Sequence, residues 1–453
     1  MIGNMDTIAA IATAPGVGAI GVIRLSGADA ITIADRIFKG KKLVKQSSHT
    51  LHFGHIVDRS NAREELVDEV VVSLFKAPKS YTGEDVVEIC GHGSPFVLNK
   101  ILDTTLSAGA RLATPGEFTQ RAFLNGKLDL SQAEAVADLI AADSHAAQQT
   151  ALNQLRGGFS DDLKQLRAEL INFAALVELE LDFSEEDVEF ADRSALQQLI
   201  ERIRIKVSQL LQSFQLGNAI KNGVSVAIIG KPNAGKSTLL NALLNEERAI
   251  VSDIAGTTRD TIEETLNIKG VLFRLIDTAG IRDHTADALE QQGIERSKHN
   301  AAQAHLIIYL VDATALESHL PEWIQPYTDK TISVINKVDL QDTLPSSISS
   351  FLTISAKDKQ GIEALKEAMY QQAIGSSYQA ENTIVTNIRH KEALQKTLDS
   401  LHDIANGMAL QISGELVALD IRTCLYHLGT ITGQVEVDRD ILGTIFGKFC
   451  IGK

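Results

Sequence analysis

Apolar residues recur every third or fourth position over Leu163, Leu166, Leu170, Phe173 and Val177, and again over Leu394, Leu398, Leu401, Ile404 and Met408. That spacing places each set on one helix face and predicts two amphipathic stretches, far apart in sequence, each needing a partner face. The Ala- and Leu-rich run "SQAEAVADLIAADSHAAQQTALNQL" from Ser131 has the same helical grain. Between the two lie "VSVAIIG", "LFRLIDTAG", "AHLIIYLVD", "TISVINKVD" and "LTISA", short apolar strands alternating with helical segments. This is the pattern of a parallel sheet covered on both faces. Upstream, "GAIGVIRLSG" (18–27) and "DEVVVSLFK" (68–76) gather β-branched residues between breakers and read as strands, so the first region mixes α and β.

The expected fold class is therefore α/β and α. An N-terminal α+β domain takes residues 1–125, and a helical bundle is made from two chain segments, 126–220 and 379–453. A mainly parallel α/β domain, 221–378, is inserted in the bundle, which is geometrically easy because domain termini are often close together. At 453 residues and 44% hydrophobic the chain can bury the several cores this requires. The acidic stretch from Glu178 to Phe190 reads as a solvated face.

Charge narrows the partners. The 58 acidic residues exceed the 43 basic ones, a formal net charge of -15, so there is no bulk attraction to phosphate backbones or anionic membranes. Nucleic-acid contact has to be local or shared with a partner. Cys90, Cys424 and Cys450 have no metal-ligand spacing and suit a reducing cytoplasm; Cys90 and Cys424 lie in apolar contexts and read as core. The apolar start has no basic residue before Arg24 and is broken by Pro and Gly, a poor signal peptide, and no run is long enough to span a bilayer, so no membrane role is expected. His92, between two glycines, reads as a turn residue with no chemistry.

The chemistry concentrates in the inserted domain. "VSVAIIG" runs into "GKPNAGKS", a phosphate loop from Gly230 to Gly235, Lys236 and Ser237. Its glycines let backbone amides curl round phosphates, Lys236 reaches the terminal ones, and the Ser237 hydroxyl suits Mg2+. "DTAG" (Asp277, Thr278, Ala279, Gly280) ends a strand with a carboxylate fit for the metal's water shell. In "NKVD" (Asn336, Lys337, Val338, Asp339), Asp339 can accept both N–H donors of a guanine edge, which adenine lacks. "SAK" (Ser355, Ala356, Lys357) closes the base pocket, so the nucleotide is GTP. In "VSDIAGTTRD", Thr258 is placed to complete Mg2+ coordination as a switch residue. Ile281 after "DTAG" cannot orient an attacking water; Glu290, in "ALEQQGIERS", can do so, or can equally be a solvated helix residue.

Together with "TPGEFTQRAFLNGKLDLSQAEAVADLI" and the terminal "FCIGK", these motifs make essentially the whole chain resemble the family of tRNA-modification GTPases called MnmE or TrmE. The resemblance implies an N-terminal folate-binding, dimer-forming domain and a P-loop GTPase inserted in a helical domain. It also implies GTP contacts from Asn233, Ala234, Gly235, Lys236, Ser237 and Thr238, and from Ser252, Asp253, Ile254, Ala255, Gly256, Thr257 and Thr258. The remaining contacts would come from "DTAG", "NKVD" and "SAK". Asn233, Ser252, Ile254 and Thr257 would hold a K+ ion where an arginine finger otherwise acts, with Ser252 standing where Thr is expected. Glu290 matches the family's water-orienting glutamate. Arg24, Glu88, Lys127 and Lys453 would bind 5,10-methylenetetrahydrofolate or 5-formyltetrahydrofolate.

Cys450 stands fourth from the end, but Gly452 and Lys453 make "FCIGK" a poor lipidation box. A thiolate can add to the electron-poor ring carbon of a uracil and activate its neighbour for attack on a one-carbon unit. The resemblance implies that use: with a FAD-containing partner, MnmG or GidA, in a heterotetramer, an aminomethyl or carboxymethylaminomethyl group is placed on the wobble uridine of certain tRNAs. The alternative is that Cys450 only packs the tail. A rival for the whole chain is a regulatory or ribosome-assembly GTPase switch; such proteins typically add a basic RNA-binding module, which this sequence does not supply.

Overall fold

The structure is a computed structural model that describes residues 6–59, 63–182, 193–244, 264–276, 290–315, 320–341, 351–375, 383–434, 445–447, 449 and 452. By contacts the chain divides into two compact units, 1–137 with 429–453, and 138–428.

In the first unit, strands β1 (Ile8–Ile11), β2 (Ile20–Ser26), β3 (Phe38–Lys39), β4 (Thr50–Asp58), β5 (Glu65–Phe75), β6 (Val86–His92) and β7 (Arg111–Leu112) form one sheet. Their order is β3-β4-β5-β6-β2-β1-β7, antiparallel except for the β1–β7 pair. Alternation along the long strands, interrupted by a register shift at Ile56/Val57, makes the sheet two-faced. Ile23, Leu25, Val70, Val72, Leu74, Val87 and Ile89 point to one side, where they pack with α1 (Ala30–Ile37) and α2 (Pro95–Ser107). The other side shows rows set by register, Phe53–Val71–Cys90–Val22 and Leu51–Ser73–Glu88–Arg24. Cys90 is thus a half-buried residue of the open face, not the core residue its apolar neighbours suggested: alternation on β6 turns Ile89 inward and Cys90 outward. At the β1 end this second face is covered by a small cluster of Ile8, Ala10, Ala113, Phe118 and Tyr81, Phe118 coming from α3 (Glu117–Leu124).

The tail returns to this unit. Phe446 and Phe449 pack on Leu130 and Ala133, at the start of α4 (Leu130–Ala141). Gly452 has φ 100°, and a Cβ there would lie 2.3 Å from the Ile11 carbonyl oxygen, so glycine is required.

The second unit holds α5 (His145–Leu155), α6 (Gly158–Asp182) and α7 (Arg193–Asn222), with a second sheet following. Leu163, Leu170 and Val177 are buried along α6, as their spacing predicts. The sheet contains β8 (Val224–Gly230), β9 (Glu264–Ile268), β10 (Val271–Leu275), β11 (Leu306–Asp312), β12 (Thr331–Asn336) and β13 (Leu352–Thr353), in the order β13-β12-β11-β8-β10-β9. It is parallel except for the edge strand β9, which joins β10 in a hairpin and has no counterpart in the sequence reading. "LTISA" gives only a two-residue strand, because Ser355 turns away to bridge Gln360. Alternation splits the core in two. Val224, Val226, Ile308 and Leu310 face Leu239, Leu240 and Leu243 of α8 (Lys236–Leu244), while Ala227, Ile229, Ile307 and Tyr309 face Ala301 of α9 (Glu290–Gln303) and Ile324. The same first layer takes Leu365 and Met369 of α10 (Ile362–Ile374).

The two ends of the sheet segment meet the helices at neighbouring points. On the way in, Asn222 ends α7 and its carbonyl accepts from Arg274 Nη1 at 3.0 Å. On the way out, Ile384 O and Thr386 Oγ1 both accept from the buried Gln154 Nε2 of α5 at 3.1 Å, and Val385 N–H donates to Ser213 Oγ of α7. The chain then enters α11 (Ile388–Ala409), whose Asn387 caps Arg389 N–H, and α12 (Gly414–Thr432). Among the described residues no helix is long and apolar enough to cross a membrane.

The return crossing is tight at Gly217, buried in α7, where a Cβ would lie 2.1 Å from the Val385 carbonyl oxygen. Backbone cannot yield as a side-chain end can, so Gly217→Ala is expected to destabilise the second unit by about 1–3 kcal/mol. Lowered thermal unfolding of the full chain checks this; an unchanged transition contradicts it.

Candidate functional site

The phosphate loop is built as its glycines require. Asn233 at φ 63° and Gly235 at φ 95° are left-handed, which curls the chain between β8 and α8. A Cβ on Gly230 would come 2.4 Å from the Leu310 carbonyl oxygen, and one on Gly235 would come 2.2 Å from Asn336 Nδ2, so both glycines permit close approach. The loop ends at the N-terminus of α8, where the backbone N–H groups and the helix dipole favour an anion. Lys236 Nζ donates to the carbonyls of Gly230 at 2.8 Å and Lys231 at 2.9 Å, and its burial pushes the ammonium pKa down. A polyphosphate would offer that half-buried cation full negative charge in place of carbonyl dipoles. Ser237 and Thr238 follow on the first turn of α8.

Asn336 ties this loop to the "SAK" segment. Only 2% exposed, its Nδ2 donates to the Ala234 carbonyl at 3.0 Å and its Oδ1 accepts the Ala356 N–H at 2.9 Å. One buried amide thus joins "GKPNAGKS", "NKVD" and "SAK". Ser355, fully buried, donates from Oγ to Asp339 Oδ1 at 2.7 Å. A carboxylate has about four acceptor positions, so orienting Asp339 this way leaves capacity for the paired donors of guanine. Lys337, at φ 66°, reaches Asp312 Oδ2 at 2.6 Å. Burial raises the Asp312 pKa, but Lys337 and the Thr314 donors outweigh it and the net shift is downward, which keeps the carboxylate charged. The sequence reading missed Asp312; a carboxylate closing the apolar strand "LIIYLVD" was the available signal. Ser252, Asp253, Ile254, Ala255, Gly256, Thr257, Thr258, Asp277, Thr278, Ala279 and Gly280 lie outside the described residues. Glu290 begins α9, and its side chain lies outside them as well.

A second set of residues meets on the open face of the first sheet. Arg24 and Glu88 are direct register partners, and Arg24 Nε and Nη2 reach Glu88 Oε1 at 2.9 and 2.7 Å. The Arg24 guanidinium carbon lies 5.4 Å from the Tyr81 ring centroid and 5.9 Å from that of Phe118, a cation over aromatic faces. Lys127 Nζ donates to the Pro78 carbonyl at 3.1 Å. Lys453 and Cys450 lie outside the described residues, although Phe449 and Gly452 on either side of Cys450 belong to this unit. His92 is held by Asp68, which accepts its N–H and pairs with Nδ1 at 2.7 Å. Cys424 is buried and its thiol is pushed up to about 12, which makes it inert.

Residues 130–450 match the family model of the MnmE helical domain, and residues 7–127 match that of the GTP-binding protein TrmE N-terminus. The tRNA modification GTPase MnmE of Cytophaga hutchinsonii is 52% identical over 458 residues, covering 99% of this chain and 98% of the relative. The protein of the same name from Bacteroides thetaiotaomicron is 50% identical over 471 residues, covering 99% and 100%. Among solved structures, the G domain of the T. maritima FeoB iron transporter is 23% identical, covering 33% of this chain and 98% of that one, with a TM-score of 0.24.

The Ser355–Asp339 contact makes base choice testable. Asp339→Asn replaces an acceptor with a donor opposite the guanine N–H groups. At about 1.5–3 kcal/mol for each hydrogen bond to a charged group, GTP affinity is expected to fall roughly 100-fold. Xanthosine triphosphate should gain correspondingly. Competition binding of the two nucleotides reads this out, and an unchanged preference removes Asp339 as the reader.

Proposed function

The chain belongs to the MnmE family, and from that premise we propose that it is a GTP hydrolase taking part in tRNA modification. On this reading it works in the cytoplasm as a homodimer with a flavin-containing partner in a heterotetramer, and uses a one-carbon tetrahydrofolate to alkylate the wobble uridine of certain tRNAs. The observation that carries the hydrolase reading is the buried Asn336 cross-link, which joins the phosphate loop at Ala234 to Ala356 of "SAK". The tRNA reading is supported by relatives named tRNA modification GTPase that match along almost the whole chain.

The chain's own groups divide the work. The loop amides and Lys236 bind and orient the polyphosphate, Asp339 selects guanine, and Glu290 orients the attacking water. Ser237 and Thr258 would hold Mg2+, which supplies charge neutralisation on the β- and γ-phosphates. Asn233, Ser252, Ile254 and Thr257 would hold K+, which supplies the positive charge an arginine finger brings elsewhere. The left-handed Asn233 at the mouth of the loop fits that use.

In the first unit, Glu88 and Arg24 suit the paired donors and acceptors of a pterin edge, and Lys127 and Lys453 suit the glutamyl tail. Cys450 acts as the thiol that activates the uracil ring. The open sheet face supports the dimer: Leu51 and Phe53 are 71% and 67% exposed in register with Ser73 and Val71, an apolar patch that a second copy would cover.

The decisive experiment is analysis of wobble nucleosides in tRNA from cells lacking this protein; loss of the aminomethyl-type modifications is expected, and a normal nucleoside profile overturns the reading. For the cation, GTP hydrolysis at equal ionic strength should be about tenfold or more faster in K+ than in Na+. Equal rates sink the assignment to Asn233. Cys450→Ser keeps size but replaces a thiol with a far less acidic hydroxyl. It should hydrolyse GTP with K+ dependence intact, still bind a reduced folate, and leave the uridine unmodified. Normal modification would return Cys450 to packing.

A further inference from the structure

The segment "TPGEFTQRAFLNGK" is more than a helix with a lysine after it. Besides Lys127, whose Nζ reaches the Pro78 carbonyl, three of its residues grip one loop, the ten residues Lys76–Asp85 that join β5 to β6. Thr119 Oγ1 shares a hydrogen bond with Tyr81 OH at 2.8 Å, Arg121 Nη1 donates to Glu84 Oε2 at 3.1 Å, and Asn125 Nδ2 donates to the Thr82 carbonyl at 2.8 Å. The links are deep: Thr82 and Thr119 are fully buried, and Arg121 is also braced by Asp6 and Glu117. The loop is pinned from the sheet as well, since Ser26 Oγ donates to Glu84 Oε2 at 2.7 Å and meets Thr82 Oγ1 at 2.7 Å.

What the loop delivers is Tyr81, whose ring lies against the Arg24 guanidinium beside Glu88. An unrestrained loop of this length would have to be ordered when a ligand arrives, at a cost in affinity; a loop already held has met that cost in folding. We propose that Thr119, Arg121 and Asn125 are positioning residues, forming a clamp that fixes Tyr81 and so presets Arg24 and Glu88 as a receptor for the fused-ring end of a reduced folate. This rests on the folate reading of Arg24 and Glu88.

The test uses the full chain with 5-formyltetrahydrofolate as probe. Four readouts are taken together: binding by calorimetry, trypsin cleavage after the exposed Lys79, GTP hydrolysis and thermal unfolding. Thr119→Val keeps shape but loses the hydroxyl, and Asn125→Ala truncates an exposed side chain whose loss leaves the core intact. Both are expected to weaken binding roughly tenfold, in the range seen when a supporting partner of a binding group is removed. Both should also speed cleavage after Lys79 and leave GTP hydrolysis unchanged; Thr119→Ser, which retains the hydroxyl, should restore binding and protection. Wild-type affinity in both weakened-link variants overturns the clamp, whether or not cleavage speeds up. Failure of the wild-type chain to bind the probe overturns the folate reading itself and the clamp with it.

Discussion

One buried carboxamide joins the segments of the second unit that read as nucleotide contacts. The phosphates and the base of a nucleotide are recognised by different loops at the ends of different strands, and nothing in a parallel sheet alone fixes those loops against each other. Asn336 does so by donating to the phosphate loop and accepting from the base loop, out of water, where each bond is strong and each loss leaves an orphaned polar group. Gly235 is glycine partly for that reason, since any side chain there would displace the Asn336 amide. The motifs are separate in sequence and a single object in space.

That distinction governs how much could be read beforehand. The positions of Lys236, Asp339 and Ser355 at the ends of strands were legible because each lies in a short motif that follows an apolar run. The alternating strands β8, β11 and β12 were legible because burial on both faces leaves a run of apolar residues. The hairpin edge β9 was not: "ETLNI" is half polar, as an edge permits, and among the described residues pairs only with β10. The Asp312–Lys337 pair and the grip of α3 on its loop join residues tens of positions apart, and no single-sequence period encodes such a meeting. Cys90 misled for a related reason. Its neighbours are apolar, but on a strand the neighbours point the other way.

The two sheets show contrasting solutions to burying apolar surface. In the second unit both faces are covered, so function sits at strand ends. In the first unit helices cover one face, and the other keeps a mixture of Leu51, Phe53 and Val71 with Arg24, Glu88 and Ser73. Such a face can hold charged side chains on a rigid strand framework, with pair geometry set by register rather than by loop conformation. The Arg24–Glu88 pair is precise for that reason, and its surroundings are supplied by the elements packed over the β1 end.

The contact of Phe446, Phe449 and Gly452 with Leu130, Ala133 and Ile11 has a consequence for biosynthesis. The first sheet emerges from the ribosome early, yet the residues that finish its unit are translated after the whole intervening unit. At the usual elongation rate of about 5–20 residues per second, that is a wait of roughly 15–60 s. During that wait the nascent chain must carry Leu130, Ala133 and the Ile11 end of β1 without their partners, so the order in which its parts are made leaves apolar surface uncovered until the tail arrives.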